Sequence, residues 1–261
     1  MHILIAIIVF TLGSIPVASA QSADELNKQA KTQLQMRNYE AAAPLLRRAA
    51  ELGHPEAQYN LGVALLEGKG LAANPIEANR WLLRSAEQGR TDAKFKLGYS
   101  YVQGRGVQRD MAQAFRWFEA AAKDGDAEAQ FIIVGMLIEG QGVAPDIKRA
   151  LTLAEQLAVR ETPENLEISG EITNARLNLA KIYLKGEHGV AADPFLSYVW
   201  FLVANESKRD MSIQVQKQTI ETVRKLQDQL TAEQQTAARK EAEKRLHRPL
   251  RNFSKLLKED F

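Results

Sequence analysis

The sequence predicts an all-α protein, a solenoid of stacked helical hairpins that is followed by a C-terminal helical extension. Three observations support this prediction. Residue types recur with a period of 36 residues, each copy holds a segment with the i, i+4, i+8 spacing of one helix face, and a glycine-rich turn separates that segment from a second helical segment. Because one helical hairpin cannot bury its own apolar face, neighbouring copies are expected to stack and share a continuous core.

The first helix of each copy is marked by an alanine that is followed by apolar residues four and eight positions later. In the copy that shows the pattern most fully these are Ala93, Leu97 and Tyr101. The equivalent alanines of the other copies are Ala57, Ala129 and Ala175. The last of these lies 46 residues after its predecessor, which indicates an insertion before the final copy.

The insertion, around residues 160–172, contains two pairs of residues that are typical of turns. They are Thr162-Pro163 and Ser169-Gly170. Proline and glycine interrupt regular structure, and serine competes for backbone hydrogen bonds. We therefore expect a loop or a short extra turn between the third and fourth copies.

A Gly-x-Gly turn ends the first helix, as in Gly104-Arg105-Gly106. Glycine suits a helix C-terminus because it adopts the left-handed conformation without a Cβ clash. Asp110 follows as a candidate N-cap, whose carboxylate can accept from the free amides of the next helix. The turn thus predicts the start of a second helix. The equivalent N-cap residues are Asn74, Asp146 and Asp193.

Two residue types inside the helices indicate packing. Gly62 and Gly98 lie within first helices, where a glycine costs about 1 kcal/mol relative to alanine, so we expect the partner helix to cross closely at these points. Tryptophan recurs at one position of the second helix, beside core alanines, and we interpret it as a core residue. The tryptophans are Trp81, Trp117 and Trp200.

Residues 1–20 predict an export signal. Ile3 to Val17 is continuously apolar, and Ala18-Ser19-Ala20 is a small-x-small cleavage site before Gln21. The segment before the apolar run has no Lys or Arg, only His2. An uncleaved membrane anchor and a buried core helix therefore remain as alternatives.

The predicted domains follow from these boundaries: a signal peptide at 1–20, a solenoid at 21–206, and a C-terminal helical extension with a basic tail at 207–261. The five repeats of the solenoid are expected at about 23–54, 55–90, 91–126, 127–160 and 173–206.

Charge distinguishes the C-terminal part from the solenoid. The whole chain has 34 basic and 32 acidic side chains, hence a net charge of +2, and it has no cysteine. The segment 207–261 holds 13 basic and 8 acidic residues. Its stretch Lys244 to Arg251 is interpreted as a solvated helix face or as a contact for an acidic membrane surface or partner. A nucleic-acid partner is not predicted, because no basic face is interleaved with aromatic residues.

The repeat pattern also resembles a known family. It reads Ala-x3-Leu-Gly-x5-Gly-x-Gly-Val-x2-Asp-x3-Ala-x2-Trp-x4-Ala-x2-Gly, matched almost throughout by residues 93–125, and it resembles the Sel-one-like repeat (SLR) family, bacterial exported relatives of the tetratricopeptide repeats. The resemblance implies a right-handed α/α solenoid whose first helices line a concave groove. It also implies a protein or peptide partner, since members serve in envelope signalling, exopolysaccharide control and host interaction.

The resemblance further implies which residues face the groove, namely those two positions before and two positions after the core leucine of each first helix. The candidate partner-binding residues are Tyr59, Val63, Phe95, Tyr99, Phe131 and Lys181, with Leu177 and Gly135 at equivalent positions. The candidate rim residues are Glu67, Lys94, Gln103 and Glu139. Aromatic residues commonly anchor protein interfaces. The alternative is that these aromatic residues pack between adjacent repeats.

These observations predict a non-enzymatic interaction module, an adaptor or regulator that is periplasmic or secreted. No catalytic, cofactor or metal residues are predicted. His54, His188 and His247 lie far apart, no serine has a lysine three residues later, and the Gly-x-Gly turns follow helices and lack a P-loop continuation. Two alternatives remain: a structural scaffold that assembles with itself through the C-terminal helices, and a hydrolase that acts on the cell wall.

Overall fold

The structure is a computed structural model that describes residues 21–161 and 166–253, without the side chains of 166–168 and Lys208. Within these residues it contains twelve α-helices, one short 3-10 helix and no strand. The predicted all-α class is confirmed. The predicted signal peptide, Thr162-Pro163 and the end of the basic tail lie outside the described residues.

Ten helices form five consecutive hairpins, and two more helices follow; the hairpin α1/α2 comes first, and the four full hairpins after it are numbered first to fourth below. In chain order they are α1 (Ala23–Gln35), α2 (Tyr39–Glu51), α3 (Pro55–Glu67), α4 (Pro75–Glu87), α5 (Thr91–Gln103), α6 (Met111–Lys123), α7 (Ala127–Glu139), α8 (Ile147–Ala158), α9 (Leu166–Lys185), α10 (Pro194–Asn205), α11 (Ile213–Gln229) and α12 (Ala232–Leu246). The 3-10 helix is Lys208–Asp210. Each helix from α1 to α10 packs against the next helix in the chain, α7 also packs against α9, and α12 packs against α10.

Buried apolar residues form a row of three core clusters along the chain. Leu61 belongs to the N-terminal cluster, Phe118 to the middle one and Trp200 to the C-terminal one. Trp200 is fully buried and Trp81 is 8% exposed, which confirms the interpretation of these two tryptophans as core residues. Trp117 is only partly buried and packs against the N-terminal cluster. Apolar burial stabilises by about 25 cal/mol per Å², so bulky residues at these repeat positions contribute heavily to stacking.

The C-terminal helices share the core of the last hairpin. Val223 and Leu226 of α11 and Leu246 of α12 lie in the same cluster as Trp200 of α10. Helices α11 and α12 both contact α10 directly. They therefore cover the end of the solenoid, which would otherwise expose an apolar face.

The turns between paired helices follow the predicted chemistry. Gly104 ends α5 with φ of 66°, and the Asp110 carboxylate accepts from the amides of Ala112 and Gln113 at 2.9 and 3.0 Å. Gly106 meets a further constraint, because a Cβ there would lie 2.3 Å from the carbonyl carbon of Pro75 in the preceding repeat. The second glycine is thus needed for stacking as well as for the turn.

The prediction of a loop at Ser169-Gly170 was wrong. Both residues lie inside α9, which is 20 residues long. The Ser169 hydroxyl is buried and donates to the carboxylate of Asp210, which also accepts from Thr173 at 3.3 Å. Because a partner distant in sequence satisfies these polar groups, the helix extends through residues that locally favour a turn.

Candidate functional site

The first helices of the hairpins, α3, α5, α7 and α9, line two neighbouring cavities. We call the side of the molecule that they form the groove face. The aromatic cavity, of about 360 Å³, is lined by residues of α3, α5 and α7 and by Arg105. The apolar cavity, of about 280 Å³, is lined by residues of α7, α8 and α9 and by the turn after α9. Helix α7 contributes to both cavities.

Three rings pack edge to face at the wall of the aromatic cavity. The ring centroids of Phe95 and Tyr99 are 5.0 Å apart, and those of Phe118 lie 5.6 Å from Phe95 and 5.4 Å from Tyr99. Phe118 is 1% exposed and belongs to α6 beneath the groove face. Aromatic pairs in this geometry stabilise one another beyond their buried area. Phe95 and Tyr99 therefore both pack against the core and line the cavity, which combines the two interpretations of these side chains.

Carboxylates lie beside this cluster. The Tyr99 hydroxyl donates to Oε1 of Glu128 at 3.3 Å, and burial, followed by the charge of Glu128, raises the pKa of Tyr99. Burial, and then the charge of Glu128, also raises the pKa of the Glu171 carboxyl. Oε2 of Glu171 is buried and has no hydrogen-bond partner among the described residues. We call Glu128 and Glu171 the acidic corner; it can accept from donors that a ligand brings.

The apolar cavity has a different character. Its walls are aliphatic and aromatic side chains, namely Phe131, Val134, Ile138, Leu151, Leu157, Leu179 and Ile182. Lys181 and Lys185 lie at its edge, and Lys185 pairs with Glu187 at 3.0 Å. Lys181 is exposed and has no ion-pair partner among the described residues. The cavity can accept an apolar side chain and place an unpaired ammonium beside it.

A reversal of side-chain size accompanies this cavity. In the two preceding hairpins a glycine of the first helix faces a large residue of the second, as Gly98 faces Phe118. In the third hairpin the residues at these two repeat positions are Val134 and Ala154, and both line the apolar cavity. This exchange of side-chain size was not predicted from the sequence, although the 36-residue period relates Val134 to Gly98 and Ala154 to Phe118.

The family assignment follows from the repeats themselves. The Sel1 repeat family matches residues 34–54, 55–89, 91–126, 134–158 and 173–207, more than half of the chain. The chain belongs to the Sel1 repeat family. The Sel1 repeat fold is generally a scaffold for protein–protein interaction, and such proteins are typically non-enzymatic.

Solved structures of Sel1 repeat proteins share this fold. A Sel1 repeat protein from Oxalobacter formigenes superposes with a TM-score of 0.58 at 24% identity, over 84% of this chain and 82% of that one. A protective antigen of uropathogenic Escherichia coli strains with an SLR fold superposes with a TM-score of 0.53 at 22% identity, over 86% of this chain and 53% of that one. This chain thus spans about half the length of the E. coli protein. No curated protein matches the chain.

The predicted groove residues of this Sel1 repeat protein divide between the two cavities. Val63, Phe95 and Tyr99 line the aromatic cavity, and Phe131 and Lys181 line the apolar one. Of the predicted rim, Glu67 and Gln103 line the aromatic cavity. Gly135, predicted at an equivalent groove position, lines the apolar cavity.

Other predicted site residues lie elsewhere. Tyr59 is half-buried against the N-terminal cluster, with the guanidinium of Arg90 5.5 Å from its ring centroid, and it lines neither cavity. Leu177 is 7% exposed and belongs to the core. The Lys94 ammonium pairs with Asp124 at 2.5 Å, and the exposed Glu139 accepts from Gln141.

Much of the basic stretch near the C-terminus is engaged within this Sel1 repeat protein. The guanidinium of Arg245 lies 4.8 Å from the ring centroid of Trp200 and 3.0 Å from Glu241. Arg248 pairs with Glu206 at 2.7 Å. Within residues 21–161 and 166–253, no helix is long and apolar enough to cross a membrane, and no group of three acidic or histidine side chains is placed to hold a metal ion.

Proposed function

We propose that this Sel1 repeat protein is a non-enzymatic adaptor or regulator that binds a segment of another protein along its groove face. The observation that carries this proposal is the pair of adjacent cavities, about 360 and 280 Å³, that share helix α7. An extended or helical segment could place one side chain in each. Recognition by side-chain anchors in a groove is a common mode of peptide binding.

The two cavities favour different anchors. In the aromatic cavity, Glu128 of the acidic corner and the rings of Phe95 and Tyr99 suit a basic or amide-bearing side chain, because carboxylates accept hydrogen bonds and aromatic faces attract cations. The apolar cavity suits a leucine-sized side chain. Charge-assisted contacts would set the register of the segment, and apolar burial would supply affinity.

Export is part of the proposal. Its support is the apolar run Ile3 to Val17 and the small residues Ala18-Ser19-Ala20, which would release a chain that begins at Gln21. Mass spectrometry of the intact protein from a bacterial envelope fraction tests this step. A mass that starts at Gln21 supports export and cleavage, whereas a full-length chain in the membrane fraction would support an uncleaved anchor.

Site-specific photocrosslinking tests the groove. A benzoylphenylalanine replaces Val63 in the aromatic cavity or Lys181 at the edge of the apolar cavity, with Leu83 of α4 as the control, since Leu83 is 39% exposed and lines neither cavity. Irradiation in the envelope fraction should crosslink one and the same partner from both groove positions and not from position 83. Equal crosslinking from all three positions, or none from the groove, would contradict the proposal.

Light scattering of the full-length protein distinguishes a monomeric adaptor from a scaffold that assembles with itself. Truncation after Glu206 is not a clean test, because Val223 and Leu246 are buried with Trp200 and their removal would uncover the core. A monomer whose groove positions crosslink to a second protein supports the adaptor, and a chain that crosslinks only to itself supports the scaffold.

A further inference from the structure

We propose that four arginines at the base of the fourth hairpin bind a small oxyanion of phosphate type. The side chains of Arg160, Arg176, Arg248 and Arg251 line a cavity of about 140 Å³ with Val159, Glu161 and Leu246. We call it the arginine cavity. Pockets for drug-sized ligands occupy about 300–1,000 Å³, so this smaller and mainly polar cavity suits an inorganic oxyanion or a phosphate headgroup.

Arg176 is the buried floor of this cavity. The residue is 1% exposed. Its Nε donates to the carbonyl of Ala158 at 2.7 Å, one terminal nitrogen donates to the carbonyl of Arg160 at 3.0 Å, and the other donates to the hydroxyl of Ser207. All three acceptors are neutral. Burial, with a contribution from the nearby Arg248, lowers the pKa of Arg176 to about 10, as expected for a cation without a contacting counter-charge.

Other repeats show that the hydrogen bond from Arg176 to the carbonyl of Ala158 does not require a charged side chain. Gln58 occupies the equivalent position of the first full hairpin, and its amide donates to the carbonyl of Ala50 at 3.2 Å. Ala50 and Ala158 are themselves equivalent repeat positions. Gln130 likewise donates to a backbone carbonyl, that of Leu153, at 3.1 Å. A glutamine therefore makes the contact to the carbonyl at this repeat position without a charge, so that contact alone does not explain the positive charge of Arg176.

The carboxylates around the cavity do not balance its arginines. Glu206 accepts from Arg248 at 2.7 Å and from the backbone amides of Arg251 and Asn252 at 3.0 and 2.9 Å. Among the residues that line the cavity, the carboxylate is that of Glu161, which is exposed.

The remaining arginines have neutral partners or none. Arg160 donates to the carbonyl of Gly125 at 3.1 Å and to the side chain of Gln130 at 3.5 Å. The exposed side chain of Arg251 has no hydrogen-bond or ion-pair partner among the described residues. Asp210, the other carboxylate near Arg176, accepts from Ser169 and Thr173. Guanidinium groups bind oxyanions through paired N–H donors, and a bound phosphate would supply the missing negative charge. The site shares no lining residue with the aromatic or the apolar cavity, so its test is independent of that of the proposed function.

Titration calorimetry with inorganic phosphate in a chloride buffer tests the site on the purified protein. Two variants remove one guanidinium each. Arg251→Gln leaves the backbone amide of that residue free to bind Glu206, and Arg176→Gln installs the residue that Gln58 and Gln130 show to be compatible with the fold. Arg116→Gln on α6 is the matched control, since Arg116 is exposed and far along the chain from the cavity.

The unchanged protein and Arg116→Gln should bind phosphate saturably, and each cavity variant should bind about tenfold more weakly or not at all. Sedimentation with phosphatidylcholine vesicles, with and without phosphatidic acid, distinguishes a lipid headgroup from free phosphate as the ligand. Sedimentation that requires phosphatidic acid and is abolished by Arg251→Gln identifies a lipid headgroup. Calorimetric phosphate binding without such sedimentation identifies free phosphate. The proposal is overturned if neither phosphate nor phosphatidic acid binds. It is equally overturned if Arg251→Gln binds like Arg116→Gln.

Discussion

The ring of Phe118 fills the space that a side chain at Gly98 would need. A Cβ at Gly98 would lie 2.6 Å from Cε1 of Phe118. In the preceding hairpin, which contains both Gly62 and Leu82, a Cβ at Gly62 would lie 2.7 Å from Cγ of Leu82. The predicted close crossing of paired helices is therefore confirmed at both glycines. Because Phe118 also contacts Phe95 and Tyr99, the crossing positions the wall of the aromatic cavity.

Replacement of Gly98 by leucine should destabilise the protein by about 1–3 kcal/mol, because even a Cβ there would lie 2.6 Å from the ring of Phe118, which is 1% exposed. Urea denaturation followed by circular dichroism measures the loss. Gly135→Ala is the control, since Gly135 lies inside α7 and a Cβ there would meet nothing within 4 Å. That variant should gain up to about 1 kcal/mol. Equal effects of the two substitutions would contradict the crossing argument.

The double variant Gly98→Val with Phe118→Ala should be less destabilised than its two single variants predict together. It installs the residue pair of the third hairpin, Val134 and Ala154. Each single change should lose stability, through a clash or through a cavity, and the coupling energy should be about 0.5–3 kcal/mol. A double-mutant cycle by denaturation measures it. Strict additivity would show that the two positions do not share one space.

Glu206→Gln should weaken the attachment of the segment that follows α12, residues 247–253, to the end of α10. The side chain of Glu206 is 1% exposed and binds Arg248 and the amides of Arg251 and Asn252. Loss of its charge should cost about 2 kcal/mol, and hydrogen exchange should show reduced protection of both amides. Glu221→Gln, which removes an exposed ion pair with Lys225, should leave stability and exchange unchanged. Unaltered exchange at residues 251 and 252 in Glu206→Gln would refute this role.

Glu171→Gln should stabilise the protein at neutral pH. Burial and the charge of Glu128 raise the pKa of Glu171 above 4.5, so the folded state holds this proton more tightly than the unfolded state. Stability therefore falls as the pH rises from 4.5 through the raised pKa, and ionised Glu171 is a cost above that range. The unfolding midpoint of the variant should exceed that of the unchanged protein at pH 7, and the gap should narrow as the pH approaches 4.5. Glu87→Gln, an exposed carboxylate of α4, should show no such trend.

The repeat made most of the fold predictable. Local chemistry determines where each hairpin turns, as at Gly104 and Asp110, and the 36-residue period transfers that result from one copy to the next. Prediction was poorer where a contact came from outside the repeat. Ser169 and Gly170 favour a turn by themselves, but the buried carboxylate of Asp210 accepts from Ser169 and the segment is helical.

The all-α class, the hairpin turns, the crossing glycines and the family could be predicted from the amino-acid sequence, because these depend on backbone conformation and on a period that repeats along the chain. The division of the candidate groove residues between two cavities, and the packing of Tyr59 and Leu177 away from both, became visible in the packed structure. It alone brought Arg160, Arg176, Arg248 and Arg251 together. Residues as far apart in sequence as 160 and 251 become neighbours through the stacking of α8 to α12. No local sequence pattern predicts that they lie close together.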